Sequence, residues 1–247
     1  MQPRLFLALG LLVLASPAFA QPIVITGPGD ETLDMTMVES GSQTFTMTVI
    51  QGEAQQSVGN GESSVTIDEE RGVIEAVRSM DVMGQKMADT TRAAWPSLAA
   101  LAHRSENMQR TLAFDIADGQ LVGEHRPQSG EAASFEMALD APVFDSAWMG
   151  MLIETLPLAD GYAATIPAYE YEEGTMNAFT YSVDVLGQEK LTREGQAPTD
   201  AWLVQVSRDS EGGEVVNYYL AKDSHDILRI MLEPQPGLTV LVDFTNV

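Results

Sequence analysis

Alternation of apolar and polar residues is the dominant pattern along the chain. Every second residue is apolar in segments 45–49, 202–206 and 240–244. Because successive side chains of a β-strand point to opposite faces of its sheet, this spacing predicts strands with one wetter face. Short sequences typical of turns separate such segments: Gly59-Asn60-Gly61, Met83-Gly84, Asp118-Gly119, Leu186-Gly187, Gly212-Gly213 and Asp223-Ser224.

One segment, FDSAWMGMLIETLP at residues 144–157, departs from this alternation. Its less polar side chains recur at helical spacing, and Pro157 ends the run. Asp145 or Ser146 can cap the first turn. The segment therefore predicts a short amphipathic helix over residues 145–156. The residues that form its stripe are Trp148, Met151, Leu152, Thr155 and Leu156.

The five-residue string DVMGQ at 81–85 returns as DVLGQ at 184–188. Both copies predict hairpins in which Gly84 and Gly187 allow the turn. Further matches follow in the same order after each copy, and they predict two similar β-meanders, at about 73–139 and 180–246. The alternative is that hairpins and Pro-Gly turns recur by chance in any β protein. The later matches are Ala-Trp at 94–95 and 201–202, a strand and turn at 111–122 and 217–228, and Pro-Gln-x-Gly at 127–130 and 234–237.

These elements predict an all-β fold with a single domain over residues 21–247. Two meanders joined through one helix favour a strongly curved antiparallel sheet or an open barrel, since adjacent strands twist relative to one another. Helix 145–156 is expected on the concave side, where its apolar stripe faces the hollow of the sheet.

Residues 1–20 have the features of an export signal. Arg4 precedes an apolar run at 5–14, and Ala18-Phe19-Ala20 is typical of a cleavage site, so cleavage is expected after Ala20. The chain contains no cysteine, which excludes disulfides and an acylated N-terminal cysteine. A periplasmic protein that is not a lipoprotein is therefore expected.

Acidic residues greatly outnumber basic ones: 36 Asp and Glu against 13 Lys and Arg give a formal net charge of −23. Such a charge repels phosphate backbones and anionic lipid headgroups, which disfavours nucleic-acid binding and electrostatic membrane docking. After residue 20, no segment is long and apolar enough to predict an integral membrane span.

A search for catalytic chemistry finds no nucleophile elbow, metalloprotease motif or phosphate-binding loop. The three histidines, His103, His125 and His225, lie far apart in the sequence. Asp223, His225 and Asp226 can hold a cation weakly, but Asp and Ser also favour a polar hairpin turn at 223–226. The acidic run YEYEEG at 169–174 has the composition of a solvated loop. The sequence therefore predicts a non-enzymatic protein without a cofactor or metal.

Four segments carry a resemblance to a known family: LPLADGYAATIPAY, VLGQEKL, DAWLVQV and YYLAKDSHDILRI. Through them, residues 65–247 resemble a bacterial family of exported proteins of unknown function. The resemblance implies a curved antiparallel sheet similar to the periplasmic lipoprotein carriers of the LolA and LolB kind, which hold acyl chains in a half-barrel covered by helices. The matched residues are strand and turn residues, and the resemblance transfers no catalytic residue.

The combined expectation is a periplasmic binding or carrier protein for an apolar ligand, either an acyl chain or a hydrophobic protein segment. The alternative is an envelope protein interaction module with a filled core and no small ligand. Twelve methionines remain after residue 1, and their flexible side chains suit either irregular ligands or core packing. The expected ligand-binding residues are Trp148, Met151, Leu152, Leu156 and Trp202.

Overall fold

The computed structural model describes residues 21–172, 175–210 and 213–246. The predicted signal peptide, residues 1–20, lies outside them, as do the last two residues of the acidic run 169–174. Two short 3-10 helices cover Met35–Met37 and Ser146–Trp148. The other elements are β1 Ile23–Val24, β2 Gly41–Gln51, β3 Ala54–Asp68, β4 Val73–Val82, β5 Gln85–Ala94, β6 Ala99–Glu106, β7 Arg110–Ala117, β8 Gln120–Pro127, β9 Ala133–Ala138, α1 Met149–Glu154, β10 Ala163–Glu172, β11 Thr175–Leu191, β12 Thr199–Arg208, β13 Val215–Ala221, β14 Ile227–Gln235 and β15 Leu238–Asn246.

The described strands form one sheet of fifteen strands in the order β1-β10-β11-β12-β13-β14-β15-β2-β3-β4-β5-β6-β7-β8-β9. Strands β2 to β9 and β10 to β15 are two runs of antiparallel neighbours, and β15 joins them by pairing with β2. Only β1 pairs in parallel, with β10. The predicted β-rich fold, one continuous curved sheet with a single short helix, is confirmed.

The connection between β9 and β10 shows how strongly the sheet curls. The two strands lie near opposite ends of the strand order, yet residues 139–162 link them directly. Within this linker, the carbonyl of Val143 accepts a hydrogen bond from Ala100 in β6 at 2.8 Å, and the carbonyl of Phe144 accepts one from Tyr169 in β10 at 2.8 Å. The ends of the sheet are therefore brought together by a segment that binds both.

Helix α1 lies in the hollow of this sheet. Asp145 caps the preceding 3-10 turn by accepting a hydrogen bond from the amide of Ala147 at 2.9 Å, which confirms the predicted start. The last helical residue is Glu154, two residues before the predicted end. The apolar side chains of α1 pack with the inward residues of β2, β4, β10 to β13 and β15 in one cluster, which we call the main core.

A second apolar cluster shows that the sheet overlaps itself. Leu112, Phe114 and Leu121 from β7 and β8 pack with Tyr171 and Met176 from the β10–β11 hairpin. In β10, the residues of the main core occupy even positions from Ala164 to Ala168, whereas Tyr171 occupies an odd position. Because alternate residues face opposite sides of a strand, β7 and β8 cover the outer face of the β10–β11 hairpin.

Two of the predicted turns lie inside strands instead. Gly61 is within β3, and the aromatic ring of Phe45 occupies the space where its side chain would be. Gly187 is within β11 at a bulge between Val185 and Gly187, with φ of +137°. At Gly61 the missing side chain lets the neighbouring Phe45 ring approach the backbone, and at Gly187 it allows a positive φ. The prediction of turns at these two sites was therefore wrong.

The two copies of the five-residue string therefore have different structures. DVMGQ forms the β4–β5 hairpin, where Met83 and Gly84 have φ of +53° and +81°, whereas DVLGQ lies within β11. The two later segments that match in sequence have the same structure as each other: 111–122 forms the hairpin of β7 and β8, and 217–228 forms that of β13 and β14. The internal repeat stays a prediction that rests on this second part.

Candidate functional site

His103, in β6, connects the sheet to the start of the helix. Its Nδ1 lies 2.7 Å from Oδ2 of Asp145, the same residue that caps the 3-10 turn through Oδ1. Asp145 is 4% exposed. One buried carboxylate therefore orders the helix start and anchors it to the sheet.

A second carboxylate faces the other side of the His103 ring. Nε2 lies 3.8 Å from Oδ1 of Asp89 in β5, and the ring stacks on Phe114 with centroids 5.4 Å apart. Burial by itself lowers the pKa of His103, but the hydrogen bond with Asp145 and the nearby carboxylate of Asp89 outweigh burial and raise the pKa to about 9. Burial likewise opposes ionisation of Asp89, yet the nearby His103 and Ser105 side chains lower its pKa. His103 is therefore a cation near neutral pH.

This arrangement differs from the relay of a hydrolase. In such a relay a neutral histidine accepts a proton from a nucleophile while a single carboxylate orients it. Here both ring nitrogens of His103 face carboxylates, and the raised pKa keeps the ring protonated. Its geometry supports a structural ion pair, and the prediction of a non-enzymatic protein stays a prediction.

An interior cavity of about 280 Å³ opens beside His103. The inner faces of β3 to β7 form one wall, and the residues before α1 and the end of β10 form the other. Its polar lining consists of Ser63, Arg78, Asp89, Thr91, His103, Ser105, Arg110, Asp145, Ser146 and Glu170, and its apolar lining of Ala76, Leu112, Phe114, Ala147 and the ring of Tyr171.

A second cavity of about 160 Å³ adjoins the first, since Ser146 and Glu170 line both. Met149, Val206 and Val216 supply its apolar wall. We call the two together the interior cavities. They lie on the side of the helix start, so the helix fills only part of the hollow.

Glu170 belongs to a hydrogen-bonded group at the wall of the interior cavities. It accepts a hydrogen bond from the hydroxyl of Tyr181 at 2.7 Å and lies 3.4 Å from the guanidinium of Arg208, which also lies 3.2 Å from Glu172. Arg208 further covers the ring of Phe179 at 4.5 Å. These contacts neutralise the carboxylates of β10 locally.

The other end of α1 is held by the turn between β13 and β14. Nδ1 of His225 lies 3.0 Å from the carbonyl of Glu154, and the Glu154 side chain accepts a hydrogen bond from the amide of Ile227 at 3.2 Å. Burial raises the pKa of Glu154 to about 8. A cavity of about 580 Å³ lies beside it, lined in part by Asp223 and Asp226.

Residues 223–226 form the β13–β14 turn that their composition predicts. The amide of His225 donates to the carbonyl of Ala221 at 2.9 Å, and that of Ala221 donates to the carbonyl of Asp226 at 2.8 Å. Across the described ranges, no group of three or more His, Asp and Glu side chains is arranged to hold a metal ion.

The five residues predicted to bind a ligand are brought together in the main core. Trp148, Leu152 and Leu156 are at most 1% exposed, and Met151 and Trp202 are 9% and 7% exposed. Met151 also lines the cavity beside Glu154. Their side chains pack on the sheet, and their role toward a ligand stays a prediction.

Sequence reasoning missed the group around His103. Period-two alternation places Asp89 and His103 on strands, but only the strand register puts both on the inner face. Asp145 was identified as a helix cap, yet its contact with His103 spans 42 positions of sequence. No local pattern carries such a contact, so the tertiary fold was needed to find it.

The chain is similar to several known proteins. Residues 34–242 match the family model described as protein of unknown function DUF3108. The crystal structure of a β-barrel-like protein of the domain of unknown function DUF1849, from Brucella abortus, matches with a TM-score of 0.51 and 11% identity, over 85% of this chain and 98% of that chain. This similarity concerns the fold alone.

Two further structures are similar over much of their length. A DUF1329 family protein from Desulfovibrio piger ATCC 29098 has 13% identity, covers 86% of this chain and 87% of its own, and has a TM-score of 0.31. A LolA superfamily protein from Nitrosomonas europaea has 9% identity and a TM-score of 0.25, and the match covers 87% of this chain and 92% of that protein. These TM-scores are too low to establish a shared fold.

No curated protein sequence is significantly similar to the chain. Nor does the described part of the chain contain a helix with the length and apolarity needed to cross a membrane. The family model covers most of the sequence, including the whole sheet from β2 to β14. The chain therefore belongs to the family described as protein of unknown function DUF3108.

Proposed function

We propose that the protein is a non-enzymatic binding or carrier protein of the bacterial envelope, and that its ligand is a small molecule with an apolar chain. The interior cavities carry this proposal. Their volumes, about 280 and 160 Å³, approach the size of small-molecule sites, and concave pockets inside a curled sheet are frequent ligand sites.

Apolar side chains line both interior cavities and supply the driving force for binding. Leu112 and Phe114 face the first cavity, and Met149, Val206 and Val216 face the second. Each methylene group that a ligand buries there contributes about 0.8 kcal/mol. A chain of several methylenes is therefore bound without a catalytic group.

The five predicted ligand-binding residues do not line the interior cavities, so in this proposal they contact the ligand only when α1 moves. Trp148 lies between Ala147, which lines the first cavity, and Met149, which lines the second. The indole nitrogens of Trp148 and Trp202 are buried without a hydrogen-bond partner among the described residues. A ligand longer than the interior cavities displaces part of α1 and contacts Met151, Leu152 and Leu156. The environment of Trp148 then changes on binding.

Mass spectrometry of natively purified protein and titration with a fluorescent fatty-acid probe test this proposal. We expect a co-purifying ligand or saturable probe binding, together with a change in tryptophan fluorescence. The Trp148→Phe variant should lose most of this change, whereas Trp95→Phe, in the β5–β6 turn, should retain it. Repeated absence of a bound molecule and of probe binding would contradict the proposal.

Export to the periplasm is the second part of the proposal. An acidic chain without cysteine suits an exported bacterial protein that folds without disulfides. Fractionation of cells that express the full chain should recover the protein in the periplasm with Gln21 as its first residue. Recovery from the cytosol with residues 1–20 intact would refute this part.

The alternative function is an envelope protein interaction module. It is favoured by the dense packing of Trp148, Leu152 and Leu156 and by the edge strand β9, which pairs only with β8 among the described strands. An extended peptide from a partner can add to such an edge. Cross-linking in cells separates the two functions: a reproducible protein adduct, combined with failed lipid binding, favours the module.

A further inference from the structure

Two arginines at the interior cavities have no partner among the described residues. Arg78 and Arg110 line the first cavity, and neither side chain has a hydrogen bond or an ion pair within the described ranges. By contrast, Arg104 and Arg229 lie 2.6 Å from Asp115 and Asp243. What sets Arg78 and Arg110 apart is that both guanidinium groups lack a carboxylate partner and line the same cavity.

The carboxylates at this cavity already have other cations. Asp145 and Asp89 face the two nitrogens of His103, and Glu170 accepts from Tyr181 and lies beside Arg208. Arg78 lies opposite Asp89 in the β4–β5 pairing, beyond ion-pair distance, and contributes to the lowered pKa of that carboxyl. The guanidinium groups of Arg78 and Arg110 thus keep their donors available.

The ring of Tyr171 holds one of these two arginines in place at the same cavity. Tyr171 is 6% exposed, and its hydroxyl is buried without a hydrogen-bond partner among the described residues. The guanidinium of Arg110 lies over its ring, 4.8 Å from the centroid. The ring therefore positions Arg110 at the cavity without occupying any of its hydrogen-bond donors.

From these contacts we propose that Arg78 and Arg110 bind the anionic head of an amphipathic ligand whose chain lies along Leu112 and Phe114. This inference rests on the proposed function and names the class of its ligand: a single apolar chain that ends in a carboxylate or a phosphate. The planar donors of arginine match either oxyanion. The volume of about 280 Å³ favours one short chain over a lipid with two chains.

Calorimetric titration of the full mature chain with decanoic acid, decyl phosphate and decanol tests the inference, because the three share a chain and differ in the head. We expect the better of the two acids to bind about tenfold to a hundredfold more tightly than decanol, the effect of charged hydrogen bonds. Added salt should weaken binding of that acid and leave decanol affinity unchanged. The preferred acid identifies the head as carboxylate or phosphate.

Substitutions locate the head. The Arg78→Gln/Arg110→Gln double variant should reduce acid affinity to that of decanol. Arg71→Gln is the matched control, since the Arg71 side chain is 82% exposed. Thermal melts establish that each variant is folded. Because Arg78 is an exposed residue, the single variant Arg78→Gln leaves the core intact.

The outcomes separate this inference from the proposed function. If decanol binds as tightly as both acids and the double variant binds all three unchanged, the head site is refuted while the carrier function stands. If none of the three ligands binds, the carrier function itself fails. Loss of acid affinity in the double variant, with decanol affinity retained, supports both.

Discussion

Two half-buried titratable residues hold the ends of helix α1. His103 binds Asp145 at the start of the helix. At its end, the side chain of Glu154 accepts a hydrogen bond from the amide of Ile227. The surroundings shift each pKa upward, to about 9 and about 8. Their effects on stability with pH follow from linkage.

The His103 contribution should be lost in mild alkali. Its pKa is raised from 6.5 to about 9, so the folded state binds the proton more tightly, and the stabilisation is complete below pH 6.5 and disappears as pH rises through 9. Urea unfolding of wild type and His103→Gln should show their stability difference shrinking by about 3 kcal/mol across this window. Val122→Ala, at a 52% exposed position, should give a constant difference, and an equally constant difference for His103→Gln would contradict the ion-pair assignment.

Glu154 should affect stability at lower pH. Burial raises its pKa from 4.5 to about 8. Between these two pH values the unfolded chain has lost this proton while the folded chain still holds it. The free energy of unfolding therefore falls as pH rises from 4.5 to 8. Glu154→Gln keeps the acceptor for Ile227 and removes the titration. The free energy of unfolding of the variant should rise relative to that of wild type by up to about 5 kcal/mol across this range, as measured by urea unfolding. Glu53→Gln, at an exposed residue of the β2–β3 turn, serves as control; a parallel pH profile for Glu154→Gln would refute the assignment.

At the scale of elements, close contacts between strands set the shape of the sheet. Phe45 of β2 pairs with Gly61 of β3, and Phe135 of β9 pairs with Gly123 of β8. In both pairs the ring covers the glycine, an arrangement that lets an aromatic side chain lie flat across a neighbouring strand. The same device thus occurs near the middle of the sheet and at its edge.

Gly61→Ala should destabilise the protein by about 1 to 3 kcal/mol, because the added methyl group meets the Phe45 ring and the backbone of Ser79. Gly41→Ala is the matched control, since nothing lies within 4 Å of its added methyl group. Thermal or urea unfolding measures both changes. Equal stability of the two variants would show that the ring moves aside without cost.

Helix α1 contributes to the same core through Leu152. The side chain is 0% exposed, so Leu152→Ala should lower the free energy of unfolding by about 2 to 5 kcal/mol. Leu186→Ala, at a 55% exposed position, should change it by less than about 0.5 kcal/mol. A small effect of Leu152→Ala in urea unfolding would mean that the helix packs loosely and can leave the hollow readily.

At the scale of the molecule, curvature and charge act together. The overlap of β7 and β8 on the β10–β11 hairpin brings distant strands of a highly acidic chain close to one another. With a formal net charge of −23, the folded state carries more self-repulsion than the expanded chain. Ions in solution screen that repulsion.

The melting temperature should therefore rise with salt. Between 10 mM and 500 mM sodium chloride we expect an increase of about 2 to 8 °C, which corresponds to about 1 to 2 kcal/mol for a chain of this size. Potassium chloride should give the same increase, because screening depends on ionic strength. A fall in melting temperature would instead mean that ion pairs such as that of Arg229 with Asp243 outweigh the repulsion.

The sequence by itself determined the local structure. Alternation at 45–49, 202–206 and 240–244 predicted strands, and the spacing from Trp148 to Leu156 predicted the helix with Asp145 as its cap, because backbone geometry sets these periods locally. Glycine was ambiguous: Gly84 turns the chain, whereas Gly61 and Gly187 lie within strands. A glycine that is needed for close approach has the same local signature as one in a turn.

The tertiary structure decided which side chains meet. His103 reaches Asp145 and Asp89, and Arg78 and Arg110 share a cavity with Tyr171, because the pairing of β15 with β2 and the curl of the sheet bring remote strands together. Helix α1 fills part of the hollow of the sheet, and a cavity lined by both polar and apolar side chains remains beside the helix start. Periodicity specifies the face on which a residue lies, whereas strand register and curvature specify the residue that it faces.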